Sequence, residues 1–297
     1  MSDLGTLSYY LGIEVCQGPS GITISQERYA LKLLERAGML GCNPSSTPME
    51  PHLKLLKEST APPVDATAYR SIVGGLRYLL HTRPDISFSV GYVSRFMEAP
   101  TEEHQAAVKR ILRYVAGTAG LGLHYHRGNK KTPPLLHGFS DSDHAGDIND
   151  RKSTGGVIYF LGNGPISWQS CKQKVVALSS CEAEYIAAAT ATCQGVWLAR
   201  LLADLLDVEA SAPVLRVDNK SAISLIKNPV HHDRTKHIDM KYHYVRECAE
   251  RGLIEVQFIG TAEQLGDILT KALGRLKYDE LRGKIGLAKV ISTGDRT

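Results

Sequence analysis

Leu135-Leu136-His137-Gly138-Phe139-Ser140-Asp141 runs as an apolar strand straight into an acid, and its reading decides the fold. Apolar segments at 155–161 and 165–171 follow it, bounded by Gly and Pro, and read as two more strands. From about Ser180 to Leu206 the apolar residues take helical spacing over a long helix. A strand at 214–218, a short helix, a helix near 237–251, a strand at 253–259 and a last helix from Glu263 complete the order. Three strands followed by alternating helices and strands describe a mixed α/β sheet with flanking helices.

Upstream the pattern changes. Residues 7–25 hold two strand-like stretches around Gly18-Pro19 and read as a hairpin, and Ser25-Gln26-Glu27 opens a helix that Gly38 closes. Residues 43–64 are rich in Pro, Ser and charge without an apolar period and read as a linker. Residues 66–118 read as helices, restarted at Pro84 and at Pro100-Thr101-Glu102-Glu103. Arg70, Arg77, Lys109, Arg110 and Arg113 decorate them, either as a solvated surface or as a face that tracks a nucleic-acid backbone. A second linker at 127–134 marks a domain boundary. The expected division is therefore 1–60, 61–134, 135–275 and a tail at 276–297.

The whole chain, 297 residues with 43% hydrophobic and 22% charged residues, has the composition of a globular protein rather than a disordered one. A net charge of +4 permits a polyanionic partner without demanding one. Six Cys without a CxxC pair argue for reduced thiols rather than a disulfide framework. The start, Met1-Ser2-Asp3-Leu4-Gly5, has no basic n-region or apolar h-region, and no uninterrupted apolar run approaches the ~20 residues of a membrane span. The expectation is a chain that works inside the cell, away from membranes, in the cytoplasm or the nucleus.

Four acids occupy positions where a solvated charge is not the natural choice. Asp141 and Asp218 end strands, Glu182 lies in the first turn of the long helix, and Asp267 precedes Ile268-Leu269. Carboxylates that converge repel one another, divalent cations relieve the repulsion, and oxygen-only ligands suit Mg²⁺. Between Glu182 and Glu184, the stripe Ile186, Ala189, Cys193 and Trp197 favours Glu182 as the sheet-facing choice, whereas Glu184 shares a smoother face with Ala188, Ala191 and Gly195. Asp143, Asp147 and Asp150, with Gly146 and Asn149 among them, read as solvated turn residues. His231, His232, His237 and His243 are dense, yet no Cys lies at finger spacing, so a zinc site is not expected. His237, with Lys236 and Lys241, is instead expected near the phosphate backbone of a bound strand.

Five motifs in order then carry a resemblance: Ser140-Asp141-Ser142-Asp143, Arg151-Lys152-Ser153-Thr154-Gly155-Gly156, Ser179-Ser180-Cys181-Glu182-Ala183-Glu184-Tyr185, Val217-Asp218-Asn219 and Asp267-Ile268-Leu269-Thr270-Lys271. They resemble the ribonuclease H domain of copia-type retrotransposon Pol polyproteins. Leu11-Gly12-Ile13-Glu14-Val15, Tyr69-Arg70-Ser71-Ile72-Val73-Gly74-Gly75-Leu76-Arg77-Tyr78-Leu79 and Thr82-Arg83-Pro84-Asp85-Ile86 are similar to the end of that family's reverse transcriptase and the helical thumb or connection after it. The resemblance runs from about residue 3 to 285. It implies a ribonuclease H-like sheet preceded by a helical thumb or connection and a truncated palm fragment. It further implies that Asp141, Glu182, Asp218 and Asp267 are a catalytic quartet for two Mg²⁺ ions, with Mn²⁺ a possible substitute. Hydrolysis of the RNA strand of an RNA–DNA hybrid would follow, one ion activating water and the other stabilising the departing 3′ oxygen. Arg151, Lys152, Ser153 and Asn219 are the matching nucleic-acid positions, and the rest of the Pol polyprotein is the implied partner. RNA would be told from DNA by its 2′-hydroxyls.

Departures from the family pattern are His144 and Cys181, where Trp and Thr are common, and the loop 260–264, which lacks the histidine many cellular enzymes place before the last aspartate. No Tyr-x-Asp-Asp motif is present, so DNA synthesis is not expected of this chain. The competing expectation is a non-catalytic nucleic-acid-binding remnant. An integrase or resolvase on the same sheet is weaker, because those use three acids beside a separate DNA-binding module.

Overall fold

The structure is a computed structural model that describes residues 5–128, 135–227 and 240–290. It divides into two compact units, one formed by residues 1–129 with 272–297 and the other by 130–271. All six cysteines are free thiols.

In the first unit, β1 (Tyr9–Tyr10), β2 (Ile13–Gly18), β3 (Gly21–Ser25), α1 (Glu27–Arg36), α2 (Ala66–Leu79), α3 (Ser87–Val93), α4 (Glu102–Thr118) and β4 (Leu121–His126) come in that order. β2 and β3 form a hairpin closed by the Gly18–Gly21 pair, so Pro19-Ser20 is the two-residue turn. Asp65 caps α2 by accepting from the N–H groups of Thr67 and Ala68, at 2.8 and 3.2 Å. At the start of α4, His104 Nδ1 accepts from the Thr101 N–H at 3.0 Å while Nε2 reaches the Leu56 carbonyl at 3.0 Å, fixing the tautomer.

The expected linker at 43–64 is a packed segment. Thr47, Met49 and Leu55 are buried. Arg110 binds Glu50 and Thr47, and Arg113 Nε donates to the Asn43 carbonyl at 2.7 Å. Two of the arginines read as surface or nucleic-acid groups are thus clamps on this segment, and Arg70 donates to the Met97 carbonyl.

Of the expected tail at 276–297, residues 276–290 are described and carry regular structure. The helix α8 (Arg275–Lys284) and the strand β10 (Leu287–Lys289) belong to the first unit, where β10 pairs antiparallel with β4, giving the sheet order β1-β2-β3-β4-β10. The described residues of the expected divisions 1–60 and 61–134, namely 5–60 and 61–128, fall in one compact unit. A buried polar network ties α8 in. Arg83 forks onto both Asp85 oxygens at 2.9 and 2.8 Å, Tyr114 donates to Asp85 Oδ2, Tyr278 donates to the Asp85 carbonyl, and Arg282 donates to Tyr114. Burial works to raise the Asp85 pKa, but Arg83 and Tyr114 hold it below the ordinary carboxylate value.

In the second unit, β5 (Leu136–Ser142), β6 (Thr154–Leu161) and β7 (Gly164–Lys172) form an antiparallel meander. The helix α5 (Ser180–Leu206) then crosses to β8 (Val214–Val217), which lies parallel to β5. After α6 (Lys220–Lys227) and α7 (Tyr244–Glu250), β9 (Glu255–Phe258) adds in parallel to β8. The sheet order is β7-β6-β5-β8-β9. This is the mixed α/β sheet that the sequence order requires.

α5 begins at Ser179, whose hydroxyl accepts from the Glu182 N–H, and ends at Asp207 in the left-handed region at φ 53°. By length and composition α5 could cross a membrane, but its most apolar window is 61% buried within the unit, as a core helix is. Tyr159, Tyr185, Ala188, Ala191, Leu215, Val217, Val245 and Val256 form the core it closes over. The expected last helix from Glu263 is instead a pair of 3-10 turns, 261–263 and 265–269. The expected helix near 237–251 is a 3-10 turn at Met240–His243 followed by α7, with 237–239 outside the described residues.

Candidate active site

Parallel pairing of β5 with β8 brings Ser140 level with Val217, so Asp141 and Asp218 come off adjacent strands at the same level. Glu184, on the first turns of α5, completes the group. One oxygen from each of Asp141, Glu184 and Asp218 lies within 4.8 Å of the others. Asp141 and Glu184 are buried, with Asp218 half-buried.

The two glutamates therefore exchange the expected places. Glu182 Oε2 accepts from the Leu178 N–H at 2.9 Å, closing the N-terminus of α5, and is not part of the group. Glu184 Oε1 accepts from the Ser142 N–H at 3.1 Å, at the end of β5. The reason lies further along the helix. Tyr159 of β6 donates to the Ala191 carbonyl, and a Cβ on Gly195 would stand 2.3 Å from the Tyr159 hydroxyl, so the small-residue stripe faces the sheet. The stripe through Ile186 and Ala189 runs out to the exposed Cys193 and Trp197. Small residues marked the close approach, and that was the available signal.

Asp267 arrives by a different route. Gln264, fully buried, donates to the Ser140 carbonyl at 2.9 Å and accepts from the Gly266 N–H at 3.0 Å, pinning the turn against β5. A Cβ on Gly266 would lie 2.7 Å from the Asp141 Cβ, so only glycine allows this approach. Thr270 donates to Asp141 Oδ2. The Asp267 carboxylate is buried and meets Lys271 Nζ at 2.7 Å.

The electrostatics follow from crowding. Burial, then the neighbouring Asp267 and Asp218 against the pull of Lys271, raises Asp141 to about 7. Burial, Asp141 and Asp218 raise Glu184 to about 9. Burial and Asp267 also raise Asp218, against a bond from Thr261 and the charge of Lys271. Among the described residues, Glu184 Oε2 is buried without a hydrogen-bond donor. Oxygen-only ligands, strained toward protonation, with an unpartnered lone pair among them, fit a divalent cation.

The remaining sequence candidates are placed as follows. Asp147 is buried, not solvated: it binds Lys172 Nζ at 2.5 Å and the Asn149 N–H at 2.8 Å, which hold its pKa well below the carboxylate range against the effect of burial. Asp143 accepts from the Thr154 N–H at 2.7 Å. Ser153 is fully buried and accepts from the Ala145 N–H at 3.0 Å, so it shapes the β5–β6 connection rather than offering a surface for nucleic acid. Arg151, at φ 58°, is exposed on that connection, and Lys152 lies 3.8 Å from Asp150. Asn219 caps α6 through the Ala222 N–H at 3.0 Å. Lys236 and His237 lie outside the described residues, and Lys241 belongs to the Met240–His243 turn. His243 Nδ1 pairs with the Tyr185 hydroxyl at 2.9 Å.

Comparison with known proteins gives the context. Residues 1–51 match the family described as "Reverse transcriptase (RNA-dependent DNA polymerase)". The retrovirus-related Pol polyprotein from transposon RE1 of Arabidopsis thaliana is 45% identical over 290 residues, 98% of this chain and 20% of that protein. The one from transposon TNT 1-94 of Nicotiana tabacum is 42% identical over 296 residues, 97% of this chain and 22% of that protein. This chain belongs to the Pol polyprotein family of copia-type retrotransposons. The Pol chain spans about a fifth of the length of these relatives. An uncharacterized mitochondrial protein of Arabidopsis thaliana is 45% identical over 198 residues, 66% of the Pol chain and 80% of its own length. Among solved structures, the Pol chain aligns with the N-terminal RNase H domain of a Mycobacterium tuberculosis protein at TM-score 0.33 and 12% identity, over 50% of the Pol chain and 97% of that domain.

Proposed function

We propose that the second unit of the Pol chain is a divalent-metal-dependent ribonuclease H that hydrolyses the RNA strand of RNA–DNA hybrids during reverse transcription. The observation that carries this reading is the convergence of Asp141, Glu184 and Asp218, from two parallel strands and the helix over them, within 4.8 Å. Their carboxylates would hold Mg²⁺, with Mn²⁺ a substitute, and Asp267 would complete the family's quartet at a second ion. When bound, the metal supplies positive charge for the phosphate in transit and the means to activate water at neutral pH.

The chain's own groups prepare that site. The Ser142 N–H fixes one oxygen of Glu184 and leaves the other free toward the cluster. Thr270 orients Asp141, and Gln264 holds the turn that presents Asp267. Arg151, exposed on the β5–β6 connection, would meet a phosphate of the hybrid. Polymerase activity is not assigned to the Pol chain, which contains no Tyr-x-Asp-Asp motif.

The test is cleavage of a labelled hybrid with Mg²⁺ by the Pol chain and by its Asp218→Asn variant. RNA-strand cutting that is lost in the variant supports the reading. Hybrid binding without cutting, in Mg²⁺ and in Mn²⁺, would instead indicate a binding remnant.

A further inference from the structure

Asp267 stands apart from the other three acids. Asp141, Glu184 and Asp218 form the compact oxygen group, and Asp267 is not within it. Its Oδ1 is instead engaged by Lys271 Nζ at 2.7 Å, one helical turn onward. The Lys271 side chain is 43% exposed and reaches inward over the Asp267 carboxylate, which is only 7% exposed. At 2.7 Å the contact is a direct ammonium–carboxylate ion pair. The turn itself is tied to β5 by the Gln264 bond to the Ser140 carbonyl and by the close approach of Gly266 to Asp141. What remains adjustable is the flexible, solvent-reaching lysine arm.

We propose that Lys271 is a positioning residue that acts as a built-in counter-cation: its ammonium holds Asp267 until a divalent ion displaces it. Lys271 thereby sets the cation concentration at which Asp267 joins the site. This rests on the metal-site reading above. The physical reason is that an ammonium at 2.7 Å and a dication on the same carboxylate repel each other. Asp267 must therefore exchange one cation for the other. The weaker of two binding events then carries the direct cost of releasing Lys271, which pairs with Asp267, whereas Asp141 and Asp218 feel its charge without a described ion pair, so the ion they hold with Glu184 depends less on that release.

The test is calorimetric titration of the full Pol chain with Mn²⁺ alone, without nucleic acid, for wild type, Lys271→Met, Lys271→Arg and Asp218→Asn. The expected result is that the weaker binding event tightens on the order of tenfold in Lys271→Met, within the usual range of coupling between sites. Lys271→Arg, which keeps the charge, is expected to stay close to wild type. A residue that merely supports the turn would lower thermal stability without tightening any metal site. Should the Met variant fail to fold, Lys271→Gln carries the same expectation. Unchanged or weakened binding in Lys271→Met, with normal binding by wild type, overturns the proposal. Absence of Mn²⁺ binding by wild type, or wild-type binding by Asp218→Asn, would instead overturn the metal-site reading beneath it.

Discussion

Without metal, the acid group should make the folded Pol chain less stable as pH rises, and Glu184→Gln should remove the share of that dependence that Glu184 carries. An ordinary carboxylate titrates near 4 in the unfolded chain, whereas in the fold burial and mutual repulsion raise Asp141 to about 7 and Glu184 to about 9. Between those limits the folded state binds more protons than the unfolded state. The sign of the linkage is then negative: the contribution is fully present below the unfolded pKa and is lost as pH climbs through the folded values. Because the two acids are coupled, the conservative count is one retained proton. One proton costs about 1.4 kcal/mol per pH unit, so moving from pH 5 to 7 removes about 3 kcal/mol. For a unit of this size that is a fall in Tm of roughly 6–12 °C. The assay is thermal unfolding in EDTA across pH 5–8, wild type against Glu184→Gln. The difference between the two curves is the quantity to read, since histidines titrate in both. Saturating Mg²⁺ at pH 8 should restore about 3 kcal/mol at a hundredfold excess over Kd. Parallel pH curves for the two proteins would refute the argument.

Other outcomes follow from single contacts. Glu182→Gln keeps an acceptor for the Leu178 N–H and should leave hybrid cleavage within a few-fold of wild type, while Glu184→Gln should lower it on the order of a hundredfold or more; rates in Mg²⁺ compare them. Gly266→Ala puts a methyl group 2.7 Å from the Asp141 Cβ and should cost about 1–3 kcal/mol of stability together with weaker Mn²⁺ binding, measured by melting and calorimetry. Asp85→Asn leaves the Arg83 guanidinium buried without its counter-charge and should cost about 3–5 kcal/mol, seen as early hydrogen exchange in α2, α4 and α8 with α5 and β5 unaffected.

The second unit was legible because its signals are local. β5, β6 and β7 announce themselves by apolar runs between turn residues, and Ser179 marks the start of α5. The sequence favours Glu182 over Glu184 only weakly, because α5 carries alanine on nearly every side and hydrophobicity cannot rank its faces; the close approach of Tyr159 to Ala191 and Gly195 ranks them and turns Glu184 to the sheet. The burial of Asp147 depends on Lys172, which arrives from β7 and has no sequence signature in the loop. β10 was invisible for a similar reason. Leu287, Ala288 and Lys289 become a strand only opposite Leu123, Gly122 and Leu121. Residues 43–64 lack an apolar period because they are held by arginine forks and a few buried side chains rather than by a repeating face.

The return of β10 to β4 makes the second unit an insertion within the chain of the first. The sheet of the first unit lacks its last strand until synthesis has passed residue 289, so the second unit has every opportunity to fold first. Bringing β10 to β4 closes a loop whose entropic cost grows only logarithmically with length, and a prefolded insert shortens the flexible path that must be closed. The same topology governs what a protease can achieve. Cutting the backbone once between 128 and 135 leaves residues 5–128 bound to the remainder by the β4–β10 ladder and the Arg83–Asp85–Tyr278 network. The nicked Pol chain would persist as a noncovalent heterodimer, its halves separating only in denaturant.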